Sequence, residues 1–333
     1  MAPRRPRILL DANLWSLVTR ADGADQLVKL EREHGVDVAL QPAVLVEVMK
    51  SSNDEARQAD VETMLRGKRP RLKTEVWAAC DEFVEIVRRK RPAWLRPRPL
   101  RSKLAPHERE WRKKNWDDAR RNPVGLRRRW QQMHESSAYV EALPDLRADS
   151  QAARDNGFDF TANDAGMVLE GAEGIPDGTI VEPWRLQMLL FLSQQYLRPA
   201  QLLLTGLRVD RTSTPYVDWL DPWLKTREIL GDRESFTRLI IEELESADVP
   251  RWWLHGTAEF AQRQWKMAAS SGWDAAHMAY LAETDLFLTN DSRLSRLGEV
   301  ISSRAPTKVG RVVLISTTDL MTSIDDAMRQ LSP

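Results

Sequence analysis

Four carboxylates, Asp11, Glu47, Asp274 and Asp291, stand where short apolar runs end or apolar helices begin. Asp11 closes Ile8-Leu9-Leu10, and Asp291 follows Leu286-Phe287-Leu288 through Thr289 and Asn290. Asp274 opens a small-residue helical stretch, and Glu47 lies one turn into another. Taken singly, each acid could cap a helix, sit in a turn or face solvent. Taken together at the ends of core elements they would repel one another unless a divalent cation sat among them. All-oxygen coordination selects Mg2+ or Mn2+ over zinc.

The elements that must position these acids read as a parallel sheet. Ile8 to Leu10 is a strand, and a helical pattern runs from Leu14 to Val18 and on through Leu27 and Leu30. Val36 to Leu40 is a second strand. Pro42 suits a helix's first turn, and Val44, Leu45, Val48 and Met49 form its apolar stripe. Strand, helix, strand, helix is the grammar of a parallel sheet, in which remote residues converge at the strands' carboxyl ends. The far end repeats it. A helix over Ala275, Ala276, Ala279 and Leu281 precedes strands at Leu286 to Leu288 and Val312 to Ile315, and Leu320 to Met328 is a last helix.

Between these ends the chain changes character. Residues 66–131 hold 22 Lys or Arg against 8 Asp or Glu, although the whole chain balances 49 basic with 49 acidic residues. Helical patterns dominate here: Val76, Cys80, Phe83, Val84 and Val87 share one face, and Glu182-Pro183-Trp184 and Asp221-Pro222-Trp223 both read as helix starts. Pro92, Pro97, Pro99 and Pro106 mark an exposed loop, and the glycine-rich stretch from Gly157 to Gly178 reads as irregular. Trp94, Trp111, Trp116 and Trp130 are interleaved with Arg96, Arg98, Arg101, Lys103, Arg112, Lys113, Lys114, Arg127, Arg128 and Arg129. Such a mixture offers cations for phosphates and planes for bases, so these residues are the candidate nucleic-acid contacts.

Composition narrows the classes further. Cys80 is the only cysteine, which excludes an internal disulfide framework and a four-thiolate zinc site. The basic start breaks its apolar run at Asp11 and Asn13 and reads as a strand rather than a signal peptide. No stretch reaches the roughly 20 apolar residues that span a bilayer, so a cytoplasmic location and no membrane partner are expected. His277 and His255 read as packed residues, and Cys80 as an inert core thiol.

LLDAN with Asp11, PAVLVEV with Glu47, WDAAHMA with Asp274 and FLTND with Asp291, in that order, resemble the PIN-domain family of metal-dependent nucleases. The resemblance covers roughly residues 7–52 and 257–331. It departs from compact members in the 227 residues that separate Glu47 from Asp274, and in Ser292, Arg293 and Leu294, where some members carry a further acid. The resemblance implies that Asp11, Asp274 and Asp291 hold Mg2+ or Mn2+ and that Glu47 binds it through water or orients the nucleophile. Asn13, Thr289 and Asn290 are then expected to hydrogen-bond the carboxylates or a phosphate.

The expectation is therefore a three-layer parallel-sheet PIN-like domain made by both chain ends, residues 1–55 and 236–333, with a mainly helical insertion over 56–235. Its function would be phosphodiester hydrolysis, on RNA before DNA, in a toxin–antitoxin or defence setting. The expected partners are nucleic acid, an antitoxin or other inhibitor protein, and a second copy of the chain in a homodimer. A catalytically inactive PIN-like module binding RNA or protein, or a structure-specific DNA nuclease, are the alternatives.

Overall fold

A computed structural model describes residues 4–134, 166–207, 215–263 and 271–331. The protein is mixed α/β and mostly helical. Its described strands are β1 (Arg7–Leu10), β2 (Asp37–Val38), β3 (Met167–Leu169), β4 (Thr179–Val181), β5 (Leu286–Thr289) and β6 (Arg311–Leu314). The chain divides into two compact units, one from Met1–Thr74, Arg109–Ser136 and Tyr280–Pro333, the other from Glu75–Glu108 and Ser137–Ala279.

The first unit holds a four-stranded sheet in the order β2-β1-β5-β6, every neighbouring pair parallel. Ile8, Leu9, Leu286, Phe287 and Leu288 are fully buried, which is why these strands are continuous apolar runs rather than alternating ones. At the β2 edge Leu40 continues the ladder against Arg71: its N–H donates to Pro70 O at 2.8 Å, and Leu72 N–H donates to Leu40 O at 2.9 Å.

Two helices, α1 (Ala12–Arg20) and α2 (Ala24–Glu33), replace the single one expected through Leu30. The break lies at Asp22, whose φ of 50° leaves the helical region, as aspartate tolerates better than most residues. α3 (Pro42–Lys50) starts at the expected proline and buries Val44, Leu45, Val48 and Met49. α4 (Asp54–Met64) packs against α1 and α3 and buries Arg57, Val61 and Met64.

The unit's boundaries differ from the expected 55 and 235. The first unit also takes in α4, the ladder segment at Arg71, and α7 (Asn115–Arg121) and α8 (Pro123–His134), which pack on α3 and α4. Residues 236–279, expected with the C-terminal piece, belong to the second unit. Local charge composition drew the expected line, whereas burial of Trp116, Leu126 and Trp130 decides the real one.

The second unit is built from helices around α5 (Glu75–Lys90), whose Trp77 stacks on Trp219 at 4.4 Å and 8°. The proline-rich stretch is not a plain loop. It makes a 3-10 turn at Pro92–Trp94, a bridge from Leu95 to Leu224, and α6 (Arg101–Arg109), which contains Pro106. Glu182 precedes the helix Pro183–Leu192 as expected. Asp221 starts no helix; its carboxylate instead accepts bonds from Arg96, Lys103 and Thr226. Of the expected irregular stretch, residues 157–165 lie outside the described residues, and Met167–Leu169 pairs antiparallel with Thr179–Val181 as a hairpin. No helix among the described residues is long and apolar enough to cross a membrane.

Candidate active site at the carboxyl edge of the sheet

Strand register brings residues from three parts of the chain level with one another. Ile8 pairs with both Val38 and Leu286. Counting the same distance along each parallel chain puts Asp11, Gln41 and Thr289 in one row across the sheet's carboxyl edge. Asp291 lies just past that row.

Asp11 is 4% exposed, and its N–H donates to Leu288 O at 3.0 Å. Its Oδ1 accepts the Leu14 N–H at 2.6 Å and so caps α1, while its Oδ2 accepts the Thr289 hydroxyl. The same hydroxyl oxygen accepts the Asp291 N–H at 2.9 Å. Asp291 caps the helix Ser292–Ser302, its Oδ1 accepting from Arg293 N–H at 2.8 Å and Leu294 N–H at 3.2 Å. Both acids are thus helix caps, and in each the cap occupies only Oδ1. Asp291 is exposed, and its Oδ2 accepts no hydrogen bond from the described residues.

Two amides at this edge are unsatisfied. Gln41 is 1% exposed, with neither its Oε1 nor its Nε2 hydrogen-bonded among the described residues; the Oδ1 of Asn290 is buried and likewise unbonded. Leaving such a group without a partner costs about 1–3 kcal/mol, so the edge holds polar groups that a water or ligand would satisfy. Sequence reasoning passed over Gln41. A glutamine before a proline reads as the residue ahead of a helix, and only the register shows that it stands level with Asp11.

The other candidates are placed as follows. Glu47 lies half-buried in α3; burial holds the Lys50 ammonium pKa below its ordinary value, with the Glu47 charge opposing that shift. Asp274 is in the first turn of the helix Ser271–Ala279, which belongs to the second unit. Asn13 is exposed on α1, and its side chain makes no hydrogen bond among the described residues. The first unit therefore joins Asp11, Thr289 and Asp291, and not Asn13. Among the described residues, no group of three or more His, Cys, Asp and Glu side chains is gathered to hold a metal. The donors present still suit a hard cation: Mg2+ binds through one or two carboxylates and completes its shell with water and phosphate oxygens.

The basic residues fall into different classes. Arg98, Arg112, Lys113, Lys114 and Arg128 are exposed. Arg96 and Lys103 pair with Asp221 at 3.3 and 3.0 Å, and Arg101 lies over Trp223 at 5.2 Å. Arg129 donates to Asp118 at 3.1 Å and to Asn115 at 2.9 Å, and Arg127 faces Asp54 at 3.9 Å. Trp94, Trp116 and Trp130 are buried, and Trp111 stacks on Trp130 at 6.0 Å. The rings of Trp94, Trp116 and Trp130 serve the core, so these three are not presented as base-stacking platforms, while Trp111 is half-buried. Indole burial simply repays more than indole exposure.

Elsewhere, His277 is 2% exposed, and His255 meets the Phe191 ring edge-on at 5.5 Å. Cys80 is buried, which pushes its thiol pKa up and leaves it inert. No protein-family model matches the chain, and no curated protein and no solved structure matches it either.

Proposed function

We propose that the chain is a metal-dependent nuclease that hydrolyses RNA at the carboxyl edge of its parallel sheet, within a PIN-like three-layer fold. The observation that carries this reading is the row formed by Asp11, Gln41 and Thr289, with Asp291 tied to it through the Thr289 hydroxyl. Asp11 and Asp291 would hold Mg2+ or Mn2+, a cation that lowers the pKa of a bound water and neutralises phosphate charge. The chain's own part is positioning. The Leu14 N–H and the Thr289 hydroxyl fix the two oxygens of Asp11, and the capped helix end fixes Asp291. The unsatisfied Gln41 and Asn290 amides supply the Gln41 Nε2 donor and two acceptor oxygens for water or phosphate at the same edge. Glu47 and Asp274 enter as further acids on the strength of the sequence order alone. RNA is preferred to DNA by analogy with the family resembled.

A second reading, a binding module without catalysis, is favoured by one observation: the described residues contain no ready three-ligand group. Cleavage of a mixed single-stranded and structured RNA pool, with Mn2+, with Mg2+ and with EDTA, separates the two. Metal-dependent cleavage that Asp291→Asn abolishes is the expected result. RNA binding without cleavage in either metal would sink the nuclease reading and leave the binding module.

A further inference from the structure

A cleft of about 650 Å³ opens in the first unit; Leu40 lines it, but none of Asp11, Gln41, Thr289 and Asp291 does. Four cationic side chains, Lys68, Arg69, Arg71 and Arg120, line it against two carboxylates, Asp37 and Asp117. Arg69 is a strut. Its Nε donates to Glu31 at 2.8 Å, and its Nη1 donates to the Thr63 and Met64 carbonyls at 2.8 and 3.0 Å. The other three cations are available. Lys68 and Arg120 are exposed and form no ion pair among the described residues. Arg71 is held in place: Nη1 donates to the Arg112 carbonyl at 2.9 Å, and the guanidinium sits 5.5 Å from the centre of the Trp116 ring.

Partial burial of the Arg71 guanidinium lowers its pKa, with the Asp117 charge opposing. Gly67 shapes the rim. Its φ of +80° turns the chain out of α4, and a Cβ there would lie 3.3 Å from Val28 Cγ2. Three cations around a concave surface favour a phosphate dianion, and a positioned guanidinium can bind it through two parallel N–H bonds. Leu65 and Pro70 add half-buried apolar wall, and the volume lies within the range of small-ligand pockets.

We propose that this cleft binds a nucleotide phosphate through Arg71, Lys68 and Arg120, with the base against Leu65 and Pro70. The nucleotide can come from a free mononucleotide or from a strand of RNA, which share this chemistry. The site stands or falls independently of cleavage at the sheet's edge.

The test uses the full chain in EDTA, titrated calorimetrically with AMP, adenosine and a hexa-adenylate RNA. AMP or the hexamer binds the parent, adenosine alone does not, and Lys68→Glu with Arg120→Glu weakens binding at least tenfold, with an unchanged circular dichroism spectrum. Asp11→Asn binds as the parent does, which keeps this result separate from any failure of the nuclease reading. AMP displacing the hexamer identifies the cleft as open to either source; binding of the hexamer alone identifies the strand. The proposal is overturned if neither ligand binds the parent, if adenosine binds as tightly as AMP, or if the double charge reversal binds like the parent.

Discussion

Thr289 joins Asp11 to Asp291 with a single hydroxyl, which donates to the first acid's Oδ2 and accepts the second acid's N–H. The two acids are 280 residues apart in sequence, and the pairing of Leu10 with Leu288 makes them neighbours across one ladder. A residue whose hydroxyl is wholly buried between two carboxylate-bearing segments is a sharp point at which to test the site.

Thr289→Val keeps the shape and removes the hydroxyl, leaving Asp11 Oδ2 without that donor. The expected cost is about 1–3 kcal/mol of stability, read as a lower Tm, with metal-dependent cleavage falling about tenfold or more if Asp11 loses its alignment. Thr289→Ser restores both. A Val variant as stable and as active as the parent would remove Thr289 from the site.

Asp11 serves as a cap and as a candidate ligand, and the two roles respond differently to substitution. Asparagine caps a helix about as well as aspartate but puts an NH2 where Oδ2 accepted the Thr289 hydroxyl, so Asp11→Asn should keep the cap and lower Tm only modestly while cleavage disappears. Asp11→Ala should lose activity and more stability than the Asn variant, because both the cap, worth about 1 kcal/mol, and the Thr289 bond are gone. Equal cleavage by the parent and the Asn variant would assign Asp11 to capping alone.

Charge reversals should separate binding from structure among the arginines. Arg129→Glu breaks bonds to Asp118 and Asn115 within the first unit and should lower Tm. Reversing the exposed Lys113 and Lys114 should leave Tm unchanged, weaken RNA binding and flatten its salt dependence by about 0.7 per lost phosphate contact in a log–log plot. Binding that ignores the double reversal would confine RNA contacts to other surfaces.

Stability should also depend on pH through Glu82. Burial raises its carboxyl pKa to about 7, while the Arg251 guanidinium, 2.7 Å away, pulls in the opposite direction. A carboxyl whose folded pKa exceeds its ordinary 4.5 binds protons better folded than unfolded. Its contribution is therefore full below about pH 4.5 and is lost as pH rises to about 7, a change of about 3 kcal/mol for one group. Urea midpoints measured across that window should fall with rising pH, and Glu82→Gln should flatten the slope. Identical slopes in the two proteins would reject the assignment.

Much of the sheet was legible because parallel strands are apolar runs bounded by polar residues. Ile8 to Leu10, Leu286 to Leu288, the helix at Pro42 and the last helix all appear close to where the residues predicted them. Asp11 and Asp291 stood out for the same reason: a carboxylate at the end of such a run is chemically conspicuous. Hydrophobic pattern and turn chemistry act locally, so the sequence by itself determined these elements and the identities of the acids.

Tertiary structure alone decided the rest, because register, burial and pairing act between residues far apart in the chain. Strand pairing raised Gln41 to the level of Asp11, and it made Thr289 the link between two acids. Burial turned Trp94, Trp116 and Trp130 from expected stacking surfaces into core, and ion pairing withdrew Arg96 and Arg129 from the free basic surface. Packing of α4, α7 and α8 moved the unit boundaries away from the change in composition. An apolar or charged residue announces what it can do; which partner reaches it first is settled only when the chain has folded.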